Sequence, residues 1–373
     1  RDNATLRQYL NPRKDLKVLA QAWVPDGVGE LEKVIAIFEQ AKHKVEWNGN
    51  YRVFPGQDPN SLLSKSSGSS ADVNSFLMSA LRAVGLQAYP VLVSTRENGY
   101  LSLSRPSLAQ FNHQLVYVSL EEGQKYLLLD ATHTAIPATL LPTAVLNDRG
   151  RIIRDEGSAW VDMKAPASHK VAIHMKLNME DLDMGNGELK YKASDYAAHF
   201  DRIEAQAEGA MEETLSDRLG YALSNPEVQG FSDLYSDLQL TSSFEINDAI
   251  MQNDDLLYVP AILASPFSEN PLKAEERVLP IDFETPQDYV YVLQLALPEG
   301  MVVEEMPESA NFALPEGAAR YSVRYIEMNG NVQIVEKISI PSDFFSATDY
   351  QALKNFFDLV IEQQQNMVVL RKE

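Results

Sequence analysis

Three residues of the types used in nucleophilic catalysis occur in order along the first half of the sequence. Ser70 ends a loop of small residues, His113 begins an alternating segment, and Asp130 ends the next segment. In Ser-His-Asp enzymes the histidine removes the proton of the serine hydroxyl, and the aspartate orients the histidine. The same residues also fit a structural interpretation, in which Ser69 and Ser70 cap a helix and His113 is a buried histidine paired with Asp130.

A helix from residue 71 to about residue 84 is predicted to follow Ser70 directly. The apolar residues of this segment share one helical face, and they are Val73, Phe76, Leu77, Ala80, Leu81 and Val84. Ser69 and Asp72 predict a capping box, and Gly85 is typical of the position just after a helix. We therefore expect Ser70 at a helix N-terminus.

Strands are predicted to carry His113 and Asp130. Residues 113–120 alternate in polarity, with predicted strands at 88–94 before them and 125–130 after them. Residues 1 to about 50 have the apolar spacing of helices. Helices followed by antiparallel-type strands are typical of the α+β class, which we expect for residues 1–160.

The second half of the chain, residues 161–373, is predicted to be a β-sandwich-type domain with a few helices. A hairpin with its turn at Asn186-Gly187 is expected after residue 170, and a second hairpin at residues 328–331. Helices are predicted at residues 201–219 and 347–363. Strands are predicted at 238–246, 256–263, 289–297, 321–328, 331–340 and 367–370. This region forms either one body or two subdomains with a break near residues 265–285.

The motifs around the three candidate residues resemble those of the bacterial transglutaminase-like superfamily, which has a papain-type core. The strings that carry the resemblance are Gly68-Ser69-Ser70-Ala71-Asp72, Phe111-Asn112-His113 and Leu129-Asp130-Ala131-Thr132. The resemblance covers about residues 15–160. It implies that Ser70, His113 and Asp130 occupy the positions of the family's Cys-His-Asp triad. It also implies a periplasmic or extracellular protein whose signal peptide has been removed.

Ser70 stands where the family has its nucleophilic cysteine. A helix N-terminus and a nearby histidine lower the pKa of a thiol enough to form a thiolate, but a serine hydroxyl is far less acidic. We therefore expect a catalytically inactive protein that acts as a binding or scaffold module of the bacterial envelope, for peptide or protein ligands. The alternative is a serine-dependent hydrolase or acyltransferase that uses Ser70, His113 and Asp130. A structural module that binds partners through its β-rich region is a third hypothesis.

The composition excludes several other classes of function. The chain has 32 Lys and Arg against 53 Asp and Glu, a net charge of −21, which disfavours nucleic acids and anionic membranes as main partners. The absence of cysteine excludes disulfides and thiolate chemistry. The six histidines lack metal-ligand spacing and no nucleotide-binding motif is present, so we expect neither a metal nor a cofactor. No apolar segment approaches the roughly 18 residues of a membrane span.

Overall fold

A computed structural model of the chain describes residues 4–102, 104–105, 107–154, 157–181, 184–208, 210–246, 249–328 and 330–373. The chain divides into two compact units, Arg1–Pro166 and Ala167–Glu373. The first unit combines helices with a small sheet, and the second is mainly β-structure. The predicted α+β class is confirmed.

Three helices of the first unit pack on a fourth one, and the helices of the unit are named here in chain order. They are α1 (Ala4–Leu10), α2 (Lys14–Trp23), α3 (Glu30–Lys44), α4 (Pro59–Lys65) and α5 (Ser70–Ala83). Every residue of α5 except Arg82 is buried, because α1, α2 and α3 pack on it from one side and strands from the other. The predicted helix at 71–84 and its capping box are confirmed, with Ser69 as the N-cap.

A five-stranded antiparallel sheet supports α5 and fixes the position of His113. The strands of the unit are β1 (Glu46–Trp47), β2 (Ser67–Gly68), β3 (Gln87–Val93), β4 (His113–Leu120), β5 (Lys125–Leu129), β6 (Arg149–Arg154) and β7 (Gly157–Asp162). The sheet has the order β5-β4-β3-β6-β7, and β1 pairs separately with β2 in parallel. The strands predicted around His113 and Asp130 are confirmed to within one residue.

The second unit is built on a mixed eight-stranded sheet of order β10-β11-β9-β8-β15-β19-β18-β17. Its strands are β8 (His169–Asp181), β9 (Met184–Asp195), β10 (Leu223–Gln229), β11 (Leu238–Ile246), β15 (Gln287–Ala296), β17 (Ala310–Ala313), β18 (Arg320–Met328) and β19 (Asn331–Ile340). Burial alternates strictly along β11, so one face of this strand packs into the core.

A four-stranded sheet and a helix share the core of the eight-stranded sheet. The sheet has the order β12-β13-β21-β16, formed by β12 (Met251–Asn253), β13 (Leu256–Pro260), β16 (Met301–Glu305) and β21 (Met367–Lys372). The remaining elements are α6 (Tyr196–Glu208), α7 (Met211–Leu219), α8 (Tyr350–Gln364) and the short pair β14 (Ile281–Asp282) and β20 (Phe344–Phe345). One hydrophobic cluster contains residues from both sheets and from α8. These residues come from before and after residues 265–285 in the sequence.

The first predicted hairpin is present, but its turn was placed wrongly. Asn186 and Gly187 lie inside β9, where Asn186 pairs with Asn178 and Gly187 pairs with Leu177 of β8. A side chain at Gly187 would collide with the main-chain oxygen of Lys176. The glycine therefore permits close approach of two strands rather than a turn. The second hairpin is confirmed as β18 and β19, with Asn329 outside the described residues.

The helix predicted at residues 201–219 is wrong as a single element. The structure has α6 ending at Glu208 and α7 beginning at Met211, and Ala210 between them has an extended backbone. The spacing of apolar residues by four is the same on both sides of this break, so the periodicity alone could not reveal it. Residue 209, a glycine in the sequence, lies outside the described residues.

Candidate functional site

Ser70 begins α5 beside a rigid helix cap. The Ser69 main-chain N–H and hydroxyl donate to Oδ2 of Asp72 at 2.9 and 2.6 Å. The other carboxylate oxygen of Asp72 accepts from the main-chain N–H groups of Gly56 and Gln57, both at 2.9 Å. Asp72 thus caps its own helix and also fixes the loop before α4 against the start of α5.

The hydroxyl of Ser70 is bonded to the main chain rather than to a catalytic partner. Its Oγ accepts a hydrogen bond from the Arg52 N–H at 2.9 Å and donates one to the Arg52 carbonyl at 3.3 Å. The Ser70 N–H donates to the carbonyl of Asn50 at 3.0 Å. The side chain is fully buried, with 0% of its surface exposed. The segment around Asn50 and Arg52 therefore covers the nucleophile position.

His113 and Asp130 form a buried pair at the ends of β4 and β5. Nε2 of His113 lies 2.8 Å from Oδ2 of Asp130, and both side chains are at most 1% exposed. Oδ1 of Asp130 accepts from Asn74 Nδ2 at 2.8 Å, from Thr132 Oγ1 at 2.8 Å and from the Thr132 N–H at 3.1 Å. Every hydrogen bond of this carboxylate therefore favours its charged form.

The pKa of Asp130 reflects two opposing effects. Burial by itself raises the pKa, but the charge of His113 and the hydrogen bonds from His113, Asn74 and Thr132 outweigh it and lower the pKa to about 2. An ionised carboxylate can only accept hydrogen bonds, so Nε2 of His113 carries a hydrogen and donates it. The orientation of the His113 ring is therefore fixed as it is in a catalytic triad.

An aromatic ring packs on His113, and one nitrogen of His113 has no partner among the described residues. Nδ1 is buried and has no hydrogen-bond partner in the part of the chain that the structure describes. The ring of Tyr51 meets the His113 ring edge to face, with centroids 5.0 Å apart. Trp47 in turn packs on Tyr51 at 5.0 Å and on His133 at 5.4 Å. We call Trp47, Tyr51 and His133 the aromatic cover.

The structure thus brings two of the three candidate residues together. His113 and Asp130 are hydrogen-bonded, whereas no hydrogen bond joins Ser70 to His113. A general base must lie within hydrogen-bond reach of the proton that it removes. In this arrangement His113 does not accept the proton of Ser70.

Asn74 is a member of the site that the sequence analysis did not single out. It donates to the Gln114 carbonyl and to Asp130, both at 2.8 Å, and accepts from the Ala131 N–H at 2.9 Å. It thereby joins α5, the start of β4 and the end of β5. Its position four residues after Ser70, on the same side of the helix, could have indicated a contact near that residue.

The described residues contain neither a metal-binding cluster nor a membrane-spanning helix. No group of three or more His, Asp or Glu side chains in these ranges could hold a metal ion. No helix in the described residues has the length and apolarity required to cross a membrane. The chain contains no cysteine, so thiolate chemistry is excluded by the sequence itself.

Two family models match separate regions of the chain. Residues 19–131 match the transglutaminase-like superfamily. Residues 255–370 match a domain of unknown function with a solved structure, DUF3858. Among curated proteins the chain has no match.

The fold is similar to the crystal structure of a putative protease from Parabacteroides distasonis ATCC 8503. The TM-score is 0.56 at 12% sequence identity, and the match covers 99% of this chain. It covers 57% of the protease chain, so the present chain spans little more than half the length of that protein. At this identity the similarity establishes the fold alone.

Proposed function

We propose that this chain, which carries a transglutaminase-like superfamily domain over residues 19–131, is a catalytically inactive member that acts as a binding or scaffold module for peptide or protein ligands. One observation carries this proposal. The hydroxyl at the nucleophile position, Ser70, is buried and bonded to the main chain of Arg52, and it makes no hydrogen bond to His113.

The fold can be retained when the catalytic activity is lost. The capping box at Ser69 and Asp72 and the pair formed by His113 and Asp130 stabilise the junction of α5, β4 and β5 whether or not a nucleophile is present. Binding and bond cleavage depend on partly different groups, so a surface that recognises a ligand persists when the reaction is lost.

A serine-dependent hydrolase or acyltransferase is the second candidate function. The observation that favours it is the orientation of His113, whose Nε2 is held by Asp130 and whose Nδ1 is not bonded within the described residues. A movement of the segment around Arg52 that released the Ser70 hydroxyl toward Nδ1 would assemble a triad. The two candidates differ in whether Ser70 becomes reactive in solution.

A serine-reactive fluorophosphonate distinguishes these functions. We expect no labelling of Ser70 in the folded protein, because its hydroxyl is covered and lacks a base. The measurement is mass spectrometry of the peptide that contains Ser70, with Ser70→Ala as the control. Labelling that disappears in both Ser70→Ala and His113→Ala proteins would establish the hydrolase and contradict the proposal.

A single cysteine introduced at Ser70 reports directly on the accessibility of the site. Because the chain has no cysteine, a Ser70→Cys protein contains one thiol, and its alkylation by iodoacetamide can be followed without background. We expect alkylation about 100-fold slower than in a Ser158→Cys protein, because thiols buried in packed surroundings are inert. Ser158 is exposed on β7 and serves as the matched reference.

Loss of the Tyr51 ring should reduce this protection in part. In a Ser70→Cys, Tyr51→Ala protein the segment whose main chain covers position 70 loses its packing on His113, so alkylation should be faster than in the Ser70→Cys protein. Equal rates for the Ser70→Cys and Ser158→Cys proteins would show an open cleft, and a low thiol pKa in that cleft would favour the enzyme hypothesis.

The proposal also includes the expected location and domain organisation. The resemblance to bacterial transglutaminase-like proteins supports a periplasmic or extracellular module of the envelope. The two compact units, which meet at residues 166 and 167, support separate domains with a boundary near residue 160. The core shared by the two sheets of the second unit supports the β-sandwich-type arrangement. Fractionation of cells that produce the full-length protein tests the location.

A further inference from the structure

Four Asn-Gly dipeptides occur in the sequence, at residues 48–49, 98–99, 186–187 and 329–330. Such a dipeptide can react internally, when the main-chain nitrogen of the glycine attacks the side-chain carbonyl of the asparagine. Glycine permits this approach because it has no side chain, and asparagine is one of the thermolabile residues of proteins. Asn329 lies outside the described residues, and the structure gives the other three dipeptides different surroundings.

The attacking nitrogen is free at Gly49. Its N–H has no hydrogen-bond partner in the part of the chain that the structure describes. Gly49 is exposed and has a left-handed backbone with a φ of +84°. Apart from its chain neighbours, no atom lies within 4 Å of the position that a side chain would take. Solvent therefore reaches this nitrogen without displacing protein atoms.

The side-chain carbonyl of Asn48 is held by two donors. Its Oδ1 accepts from the main-chain N–H of Asn50 and from Nδ2 of Asn50, both at 3.1 Å. A main-chain N–H can only donate, so the oxygen of the Asn48 amide lies on this side. Negative charge develops on that oxygen when the carbonyl is attacked, and donors already aimed at it stabilise the charge.

The leaving group of Asn48 is also unrestrained. Its Nδ2 has no hydrogen-bond partner among the described residues. The surroundings of Asn48 therefore combine a free nucleophile, a polarised carbonyl and a free leaving group.

Asn98-Gly99 provides the matched contrast, because Asn98 is exposed as well. Nδ2 of Asn98 donates to Oγ of Ser94 and to the carbonyl of Gln110, both at 2.9 Å. The N–H of Gly99 donates to two main-chain carbonyls at 3.2 Å each. The leaving nitrogen is thus held in place, and the attacking nitrogen is occupied.

Asn186-Gly187 is constrained by the sheet. The dipeptide lies within β9 between β8 and β11, where Asn186 pairs with Asn178 on one side and with Glu245 on the other. Strand pairing on both sides fixes the extended backbone, so the asparagine side chain cannot be brought onto the next main-chain nitrogen.

We propose that Asn48 is a site of intramolecular deamidation in the folded protein. The nitrogen of Gly49 forms a bond to Cγ of Asn48 and loses its proton to solvent. The bond from Cγ to Nδ2 breaks, and Nδ2 takes a proton from water and leaves as ammonia. Water then opens the cyclic imide at either carbonyl, which gives aspartate or isoaspartate. In sum, one water is consumed and one ammonia is released, without an oxidant or a cofactor.

Both products alter the segment that covers Ser70. Each adds a negative charge at position 48, and isoaspartate also lengthens the main chain by a carbon atom. The carbonyl of Asn50 accepts from the Ser70 N–H at 3.0 Å and from Nε1 of Trp47 at 3.1 Å. A longer main chain between Trp47 and Asn50 disturbs both bonds. The modification goes beyond the proposed binding role and does not depend on it.

Mass spectrometry of the complete chain, aged in mildly alkaline buffer, tests the proposal. Replacement of the amide nitrogen by oxygen is followed in the peptides that contain Asn48, Asn98 and Asn186. We expect conversion at Asn48 at least about tenfold faster than at the other two, because the placement of the reacting groups sets the rate. In guanidinium chloride the three rates should become similar. Similar rates at Asn48 and Asn98 in the folded protein would overturn the inference.

Variants assign the reaction to the folded site. Asn48→Gln should abolish conversion at position 48, because the longer side chain moves the carbonyl away from the Gly49 nitrogen. Asn50→Ala removes one of the two donors to Oδ1 and should slow conversion by about threefold or more. Asn98→Gln is the matched control and should leave the rate at Asn48 unchanged. An unchanged or faster rate in the Asn50→Ala protein would overturn the role of the structure.

Alkylation of the Ser70→Cys protein measures the consequence for the covering segment. After ageing with the thiol kept reduced, alkylation should be at least about threefold faster than in fresh protein, because an uncovered thiol reacts more readily. The aged Ser70→Cys, Asn48→Gln protein should show no change. Equal alkylation before and after conversion would overturn the link to the segment. Conversion rates are measured without reference to the reactivity of Ser70, so failure of this site and failure of the inactive-member proposal are distinguishable.

Discussion

An Asp130→Ala protein is expected to lose about 3–5 kcal/mol of the unfolding free energy of its first unit. The substitution leaves the fully buried His113 without the carboxylate that accepts its Nε2 hydrogen. It also removes the acceptor for the Asn74 amide and for the hydroxyl and N–H of Thr132. The effect is large because several buried donors lose their partner in one step.

Tryptophan fluorescence during urea unfolding measures the unfolding free energy of the first unit. All three tryptophans, Trp23, Trp47 and Trp160, lie before residue 167, so their emission reports on the first unit. Asp162→Ala is the matched control, because Asp162 is exposed on β7. A change of less than about 1 kcal/mol in the Asp130→Ala protein, as is usual for surface substitutions, would show that the pair contributes little to stability.

The pair of His113 and Asp130 also makes the stability of the first unit depend on pH in acid. Since the pKa of Asp130 is lowered from 3.8 to about 2 in the folded state, its stabilisation is complete above pH 3.8 and is lost as the pH falls through 2. Asp130→Asn keeps the shape of the side chain but cannot titrate. Its stability should therefore fall less steeply than that of the parent protein between pH 4 and pH 2.

The elements around the site could be predicted because their signals are local. Ser69 and Asp72 form the capping box three residues apart, and the apolar face of α5 follows directly. The start of β4 at His113 follows from residue alternation, and the family match over residues 19–131 includes Ser70, His113 and Asp130. Each signal depends on neighbours within a few positions, where side-chain type and backbone conformation are closely linked.

The state of Ser70 could not be predicted, because it depends on a segment without periodicity. The residues that cover it, including Asn50, Tyr51 and Arg52, have no regular pattern in the sequence. Their position follows from the parallel pairing of Trp47 with Gly68 and from the bonds of Gly56 and Gln57 to Asp72. Such contacts between loops are set by tertiary packing rather than by local propensity.

A Glu336→Gln protein is expected to be more stable than its parent at pH 8, by roughly 3 kcal/mol in the second unit, as follows from the size of the pKa displacement. Glu336 is 2% exposed, and burial raises its pKa from 4.5 to about 7 against the opposing effect of hydrogen bonds from Gln364 and Tyr321. Both hydrogen bonds end on Oε1, at 2.9 Å each. A glutamine oxygen can accept both, so the substitution removes the charge and keeps the contacts.

The stability difference between the parent and the Glu336→Gln protein depends on the pH at which Glu336 loses its proton. The folded protein retains the proton of Glu336 up to about pH 7, whereas the unfolded chain releases it near pH 4.5. The stabilisation by the protonated group is therefore complete below pH 4.5 and is lost as the pH rises through 7. The parent and the Glu336→Gln protein should have similar stability at pH 4.5 and diverge up to pH 8.

Amide hydrogen exchange of the segments around Glu336 tests the prediction, because the second unit contains no tryptophan. Glu336 lies in β19, and Gln364 ends α8, so exchange from these two elements reports on the region that the carboxyl joins. Glu327→Gln, at an exposed position of β18, removes the same charge without a buried carboxyl and should change nothing. Parallel stability curves for the parent and Glu336→Gln proteins from pH 4.5 to pH 8 would show that Glu336 ionises normally, and that burial between β19 and α8 does not hold its proton.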